Sequence, residues 1–396
     1  MTEAIEPAGL CLVNARVGAA AASSLRIVGS RIDAVGVPAR PGDLRLDLRG
    51  DRVLPGLINA HDHLQLNGLP RLKYRPNYSN VREWIADIEP RLQSEPMFIA
   101  NHAVPREQRL LIGGVKNLLS GVTTVAHHDP LDALLLRKAF PVRVVARCGW
   151  SHSLSVDGAQ AVARSYRGTP QHWPWIVHAA EGVDADAAAE LGELDALGCL
   201  RDNTLIVHGL ALDQVKQQRL VQAGAGLIWC PSSNLHLFGR TPDVHFLFEQ
   251  RRVALGSDSR ISGGLDLLAE LSVARGASRL DEASLDSLVT DRAAQLLRLP
   301  DRGRLEPGAL GDIVVLPQGL PLSQACRADI RLVLIGGVPL YADPDFVQAL
   351  GCEADCVRVK VDGRSKYLAL SVAAPLAAAQ VREPGLEIGS MAQAAT

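Results

Sequence analysis

Over the first 50 residues, short apolar runs alternate with Gly, Pro and Asp. Leu10–Val17, Leu25–Val28, Ile32–Val35 and Leu44–Leu48 have the length and the turn-bounded spacing of short β-strands. From residue 53 to about 300 the pattern changes, and short apolar runs alternate with longer stretches of helical period. The runs are Val53–Ala60, Val122–Ala126, Val142–Ala146, Trp175–His178, Leu205–Val207, Gly226–Trp229 and Val253–Leu255. Between them, Arg106–Leu119, Asp184–Leu197, Leu212–Val221 and Leu265–Ala274 carry helical spacing and each stops near a glycine. Strands in alternation with helices predict a parallel sheet with helical crossovers, and at this length a closed TIM-like (β/α) barrel. After residue 305 the short-strand texture returns at Ile313–Leu316, Ile330–Ile335, Val357–Val361 and Tyr367–Leu370.

Neither flank is long enough to bury a core alone. Residues 1–52 and 306–380 are therefore expected to pair into one small composite β-sandwich domain beside a barrel spanning 53–305. Residues 381–396, polar and Ala-rich, read as a flexible tail. The strand count gives seven clear barrel candidates, so the barrel is either one βα unit short or has its eighth strand in Ser151–Val156.

Composition narrows the class of partner. The 43 acidic and 41 basic residues nearly cancel, which removes the basic footprint of a nucleic-acid binder. The chain start lacks a basic flank before an apolar run, and no apolar stretch is long enough to span a bilayer; a soluble, cytoplasmic protein without a membrane partner is expected. Seven scattered cysteines fit free thiols in a reducing compartment, and the Cys352/Cys356 pair alone is a weak metal signal.

The chemistry lies at the ends of the apolar runs. In Leu-Ile-Asn-Ala-His61-Asp-His63, strand alternation puts both histidines on one face, just past the run. Barrel enzymes place catalytic groups at that end, and two adjacent imidazoles suit a cation such as zinc. Three more runs end in His178 (followed by Ala-Ala-Glu181), His208 and Asp258, and a fourth leads into Pro-Ser-Ser-Asn234.

This constellation resembles the amidohydrolase superfamily, in its branch of cytosine and guanine deaminases and triazine hydrolases. Gly121-Val-Thr-Thr and Gly303-Arg-Leu-Glu-Pro-Gly-Ala-Leu-Gly-Asp312 match as well, so the likeness covers about residues 50 to 316. The resemblance implies that His61, His63, His178 and Asp258 bind one divalent metal, zinc or alternatively iron. It implies that Asp258 accepts a proton from the attacking water, that Glu181 shuttles a proton to the leaving nitrogen, and that His208 hydrogen-bonds the water or the developing oxyanion. A homodimer is one arrangement it leaves open.

His127-His128-Asp129 follows the second run, and those residues are expected either to contact substrate or to support a metal ligand. His128, His152, Gln65, Trp84 and Asn234 are the candidate substrate contacts. Residues 64–104, with five prolines up to 105, are expected to form a long loop over the barrel mouth. The function read from this set is hydrolytic deamination of an amino-substituted heterocycle (purine, pyrimidine, pterin or triazine) as a small-molecule substrate. Opening of a cyclic amide or imide is the alternative, with triazine dechlorination behind it. A non-catalytic barrel acting in an assembly is a reading of another class, against which the intact ligand set and Glu181 argue.

Overall fold

The structure is a computed structural model that describes residues 8–18 and 20–389. Five strands precede the barrel: β1 (Leu10–Val17), β2 (Ala20–Val28), β3 (Arg31–Val35), β4 (Leu44–Asp47) and β5 (Arg52–Pro55). Eight more run in sequence through the middle of the chain: β6 (Leu57–Asp62), β7 (Val122–His127), β8 (Arg143–Val144), β9 (Gly149–Ser153), β10 (Trp175–Ala179), β11 (Thr204–His208), β12 (Gly226–Trp229) and β13 (Val253–Leu255). The last six are β14 (Ile313–Leu316), β15 (Leu332–Ile335), β16 (Val338–Ala342), β17 (Cys356–Val361), β18 (Arg364–Ala369) and β19 (Leu386–Ile388).

The eight middle strands form the barrel wall in two parallel pieces, β6-β7-β8 and β9-β10-β11-β12-β13. β6, β7, β10, β11, β12 and β13 are buried along their whole length, as strands covered on both faces must be. Eight strands are therefore present. The eighth is β9, two residues earlier than the expected stretch, because Leu154–Asp157 turns into a helix capped by the Ser153 hydroxyl. The economy lies in the crossovers: β7 and β8 are joined through a single 3-10 turn, Ala133–Leu136, and β8 and β9 through four residues. The two-residue β8 is what such short connections leave room for.

The expected strand Val53–Ala60 is two strands, broken at Gly56. A side chain on Gly56 would run into Thr123, with a Cβ placed 2.2 Å from its hydroxyl. β5 joins the outer sheet, and β6 enters the barrel.

The outer sheet has eleven strands from both ends of the chain, in the order β19-β17-β18-β16-β15-β14-β5-β1-β2-β3, with β4 added beside β1. Ladder β14–β5 joins the two ends antiparallel, with Val314 opposite Leu54. One core, built from residues such as Leu12, Ile27, Leu46, Ile313, Leu334 and Phe346, takes side chains from both ends. It is thus one continuous sheet around a shared core rather than two separate layers. β16 was not evident from the sequence, because Val-Pro-Leu-Tyr-Ala shows no clean alternation.

Two further expectations differ. Residues 64–104 carry helices Val81–Ile88 and Pro96–Ala103; the first is capped by the Asn80 side chain, which accepts from Glu83 N. The segment from 381 is built into the fold as far as residue 389. β19 pairs with β17, and Glu383, 2% exposed, is clamped by Arg260 and Arg327. Residues 390–396 lie outside the described ones.

Candidate active site

Six imidazoles and two carboxylates converge at the C-terminal ends of the barrel strands. His61 is the last residue but one of β6 with His63 just beyond the strand, His128 follows β7, His152 lies on β9, His178 on β10 and His208 on β11. Glu181 follows β10, and Asp258 follows β13. Apart from the half-buried His152, all are at most 8% exposed. Close approach is built in at Gly256, where a Cβ would lie 2.7 Å from His61 Cβ. Asp258 N donates to His61 O at 3.0 Å across the same seam. Ala180, His208 and Asp258 all have positive φ, at 55°, 72° and 54°. Such backbone strain is kept where surroundings over-determine it, commonly at functional sites.

His178 Nε2 lies 3.3 Å from His61 Nε2 and 3.3 Å from His63 Nε2. Asp258 Oδ1 stands 3.7 Å from His61 Nε2 and 3.9 Å from His63 Nε2. The edge of a tetrahedron of ligands at about 2.0–2.1 Å from a zinc ion is about 3.3 Å. The donor set is also set up electronically. His178 Nδ1–H donates to the carbonyl of His152 at 2.8 Å, which leaves Nε2 bare. His63 Nδ1 bonds Asp129 Oδ2 at 2.8 Å, the carboxylate–histidine arrangement that orients metal ligands. These residues fit a divalent cation. The described residues also group His128 with His61, His63 and His178, and His208 with His61 and Asp258.

Burial pushes His61, His128, His178 and His208 below the usual imidazole range, and His208 reaches about 4. In His63 burial is the largest single influence and acts downward, but the Asp129 hydrogen bond together with the charges of Asp129, Asp258 and Asp62 outweighs it and holds the ring up at about 9. For Glu181 burial comes first and the Asp258 charge second, and both raise its carboxyl well above the ordinary range. Its Oε1 stands 3.4 Å from His208 Nε2. The other His208 nitrogen, Nδ1, donates to Asn234 Oδ1 at 3.1 Å, so the neutral ring turns a lone pair toward Glu181. Asp258 is held by Ser259 N (2.7 Å) and the Ser262 hydroxyl (2.8 Å).

The structure brings His61, His63, His178, Asp258, Glu181 and His208 together, with His128, His152 and Asn234 beside them. His128 stacks on His178 with centroids 4.4 Å apart; its Nε2–H donates to Ser151 O, and its buried Nδ1 has no partner. Gln65 is turned toward Asp129, to which it donates at 2.6 Å, and so supports the partner of His63. Trp84 does not join the group: its indole N–H is committed to Leu72 O, and the ring packs with Tyr78, Val81 and Leu210.

Two residues of the site were missed. Lys116, fully buried in helix Arg106–Leu119, donates to Asp62 Oδ2 (3.1 Å), Asn67 Oδ1 (2.8 Å) and Asp258 O (2.9 Å) directly beneath the cluster. Glu190 accepts from Ala180 N at 2.7 Å and braces the turn between His178 and Glu181. A lysine on a helix reads as solvated surface, and only the largely apolar run around it, Leu110–Val115 and Leu118–Leu119, hinted otherwise.

Comparison with known proteins agrees with this architecture. The model of the amidohydrolase family matches residues 172–340. The chain is 24% identical to 5-methylthioadenosine/S-adenosylhomocysteine deaminase 2 of Archaeoglobus fulgidus, over 90% of this chain and 92% of that protein. It is 25% identical to 8-oxoguanine deaminase of Pseudomonas aeruginosa, over 76% of this chain and 84% of the other. Among solved structures, the fold is similar to the triazine hydrolase of Arthobacter aurescens (TM-score 0.69, 18% identity, 84% of this chain and 94% of that one). It is equally similar to a zinc-bound adenosine deaminase of Xanthomonas campestris (TM-score 0.69, 20% identity, 87% and 97%). The family match, the length of these likenesses and the shared barrel make the chain similar to amidohydrolases over most of its length.

Proposed function

We propose that this protein is a metal-dependent hydrolytic deaminase of an amino-substituted heterocycle, with an aminopurine ring as the first choice. The observation that carries the reading is the placement of Glu181. Its buried carboxyl faces the bare Nε2 of His208 and lies beside the converging His61, His63, His178 and Asp258 donors. The purine ring is favoured by the relatives, whose names specify methylthioadenosine, S-adenosylhomocysteine and 8-oxoguanine.

His61, His63, His178 and Asp258 would hold the cation, zinc in our reading. Bound there, it would lower the pKa of a water ligand toward ~7 and make hydroxide available at neutral pH. The protein groups handle the protons. Asp258, fixed by Ser259 N and Ser262, takes the proton released as water attacks the amine-bearing carbon. Glu181 carries a proton and gives it to the adjacent ring nitrogen; the proton taken by Asp258 then goes to the amino group, which leaves as ammonia, while Glu181 recovers its own proton from the hydroxyl that becomes the carbonyl. His208 is held by Asn234 with Nε2 as an acceptor, so it steadies the attacking water through that water's O–H. Burial of the whole group excludes bulk water and strengthens each of these interactions.

The test is ammonia release by the zinc-loaded protein from aminated purines, pyrimidines, pterins and triazines, with metal content measured on the same sample. Glu181→Gln should keep the metal and lose about 100-fold or more of kcat. Full turnover by a metal-loaded Glu181→Gln protein would remove Glu181 from the mechanism. A metal-loaded wild type that releases no ammonia from any ring would overturn the deaminase reading.

A further inference from the structure

A cavity of about 580 Å³ opens beside the cluster and shares none of its metal-side residues. Arg71, Arg260, Arg382, Ser232, Asn67 and Gly263 are among those that line it. Its back wall is the loop after Asp258, where Gly263 N donates to Ser259 O at 2.7 Å.

The lining carries more positive charge than it neutralises. Arg260 is matched by Glu383, which takes two hydrogen bonds at 2.9 and 2.6 Å. Arg71 gives its Nε–H to Gly263 O at 2.7 Å, so the guanidinium is oriented, yet it has no ion pair among the described residues; nor has Arg382. In a chain of net charge −2, this is a local excess of cation.

Two buried polar atoms point the same way. Ser232 Oγ (residue 4% exposed) and Glu270 Oε2 (0%) have no hydrogen-bond partner. Both lie behind Gly264, which lines the cavity: a Cβ there would be 3.5 Å from each. Orphaned polar atoms of this kind are rare in folded proteins and call for an explanation. Ser232 itself lines the cavity, and Glu270 lies behind it.

We propose that this cavity is a binding site for a small carboxylate- or phosphate-bearing anion, gripped by Arg71 and by the Ser232 hydroxyl. A planar guanidinium matches either oxyanion with two parallel hydrogen bonds. The Ser232 hydroxyl is a donor. Behind it, Glu270 accepts from Ser232 N at 2.8 Å, and burial raises its carboxyl to about 8, so it sets little negative charge against an anion in the cavity. The anion has two sources, a charged arm of the substrate itself or a separate small ligand beside the barrel mouth. The proposal does not depend on the deaminase reading, since binding is measured without turnover.

The experiment is equilibrium dialysis of inorganic phosphate against the metal-loaded protein at constant ionic strength. We expect one site with a Kd of about 1 mM or tighter. Arg71→Met should weaken it about 10-fold or more with unchanged metal content, and Arg71→Lys should fall between. Arg71 is exposed, so both variants should fold. Ser232→Ala is the second probe and should weaken binding about 3-fold or more. No binding to wild type at about 10 mM, or an Arg71→Met protein that binds as wild type does, overturns the proposal; the latter would place phosphate on the metal instead. Given a site, KM values of a neutral and a carboxylated aminopurine decide the source. A selective rise for the carboxylated ring in Arg71→Met identifies a substrate arm, and equal changes identify a separate ligand.

Discussion

Two buried polar clusters lie back to back in this barrel, and they are built on opposite principles. Beneath the floor, Asp62 accepts from Lys116, Asn67 (2.8 Å) and Asn117 (2.9 Å), while Asn59 ties Asn117 to Ser257. In that network the charges match and every polar atom of Asp62 and Lys116 has a partner within the protein. Above the floor, the imidazoles converge with fewer protons than acceptors, and His61 Nδ1, His127 Nε2 and His128 Nδ1 have no partner. A satisfied network fixes a conformation, and an unsatisfied one is open to a group the chain does not supply. The two share a strand: in His61-Asp62-His63 the outer residues face the open cluster and the middle one faces the closed network.

The comparison predicts opposite responses to mutation. His178→Ala should abolish stoichiometric metal binding while the metal-free protein unfolds at nearly the wild-type denaturant concentration. Metal content by mass spectrometry and urea melts on the same samples check this, and unchanged metal content would remove His178 from the ligand set. Lys116→Met, on the other side of the floor, should cost about 3–5 kcal/mol in a urea melt, because it leaves the Asp62 carboxylate buried without its cation. If instead the His178 variant is the unstable one and Lys116→Met melts normally, the division between an open and a closed cluster is wrong.

A smaller effect probes the boundary between the two. Asp129→Asn keeps the shape of the partner of His63 but removes its charge. It should weaken metal affinity about 10- to 100-fold, read by competition with a chelator, and leave the melt unchanged. An affinity equal to wild type would make the 2.8 Å contact a packing detail.

Legibility from the sequence follows the same division. His61, His63, His178, His208 and Asp258 were readable because each follows an apolar run, and strand geometry then carries all of them to one end of the barrel. Glu181 was readable only beside His178 and through a family likeness. The closed network was not readable, since Lys116 and Asn117 become neighbours of Asp62 and Asn67 only when a helix packs on a strand about 55 residues distant. β8 was placed correctly, but the lack of helices around it was not, because two-residue strands have no period to detect. Glu383 looked like tail for a related reason: its burial depends on Arg260 and Arg327, more than 50 residues away along the chain.

Glu190 offers the finest test, because it is a bracing residue outside both clusters. Burial raises its carboxyl from 4.5 to about 7, and the Ala180 N–H bond offsets only part of that. A carboxyl with a raised folded-state pKa favours folding in its protonated form. Its ionisation therefore takes stability away as pH climbs from about 4.5, and the loss levels off above about 7. Glu190→Gln keeps an oxygen to accept from Ala180 N and removes the titration. Plotted against pH, the Tm difference between the two proteins should be constant below pH 4.5 and shift by about 1–3 °C in favour of Gln between there and pH 7. Titrating groups that do not feel the Glu190 charge are common to both proteins and cancel in the difference; Glu181, which does feel it, is removed from the comparison by measuring both proteins in a Glu181→Gln background as well. Turnover at pH 8 should be retained, since the turn that carries Glu181 still has its acceptor. Parallel Tm curves would mean that Glu190 ionises in the fold as freely as in the open chain; lost turnover would mean that its charge, rather than its hydrogen bond, holds Glu181 in place.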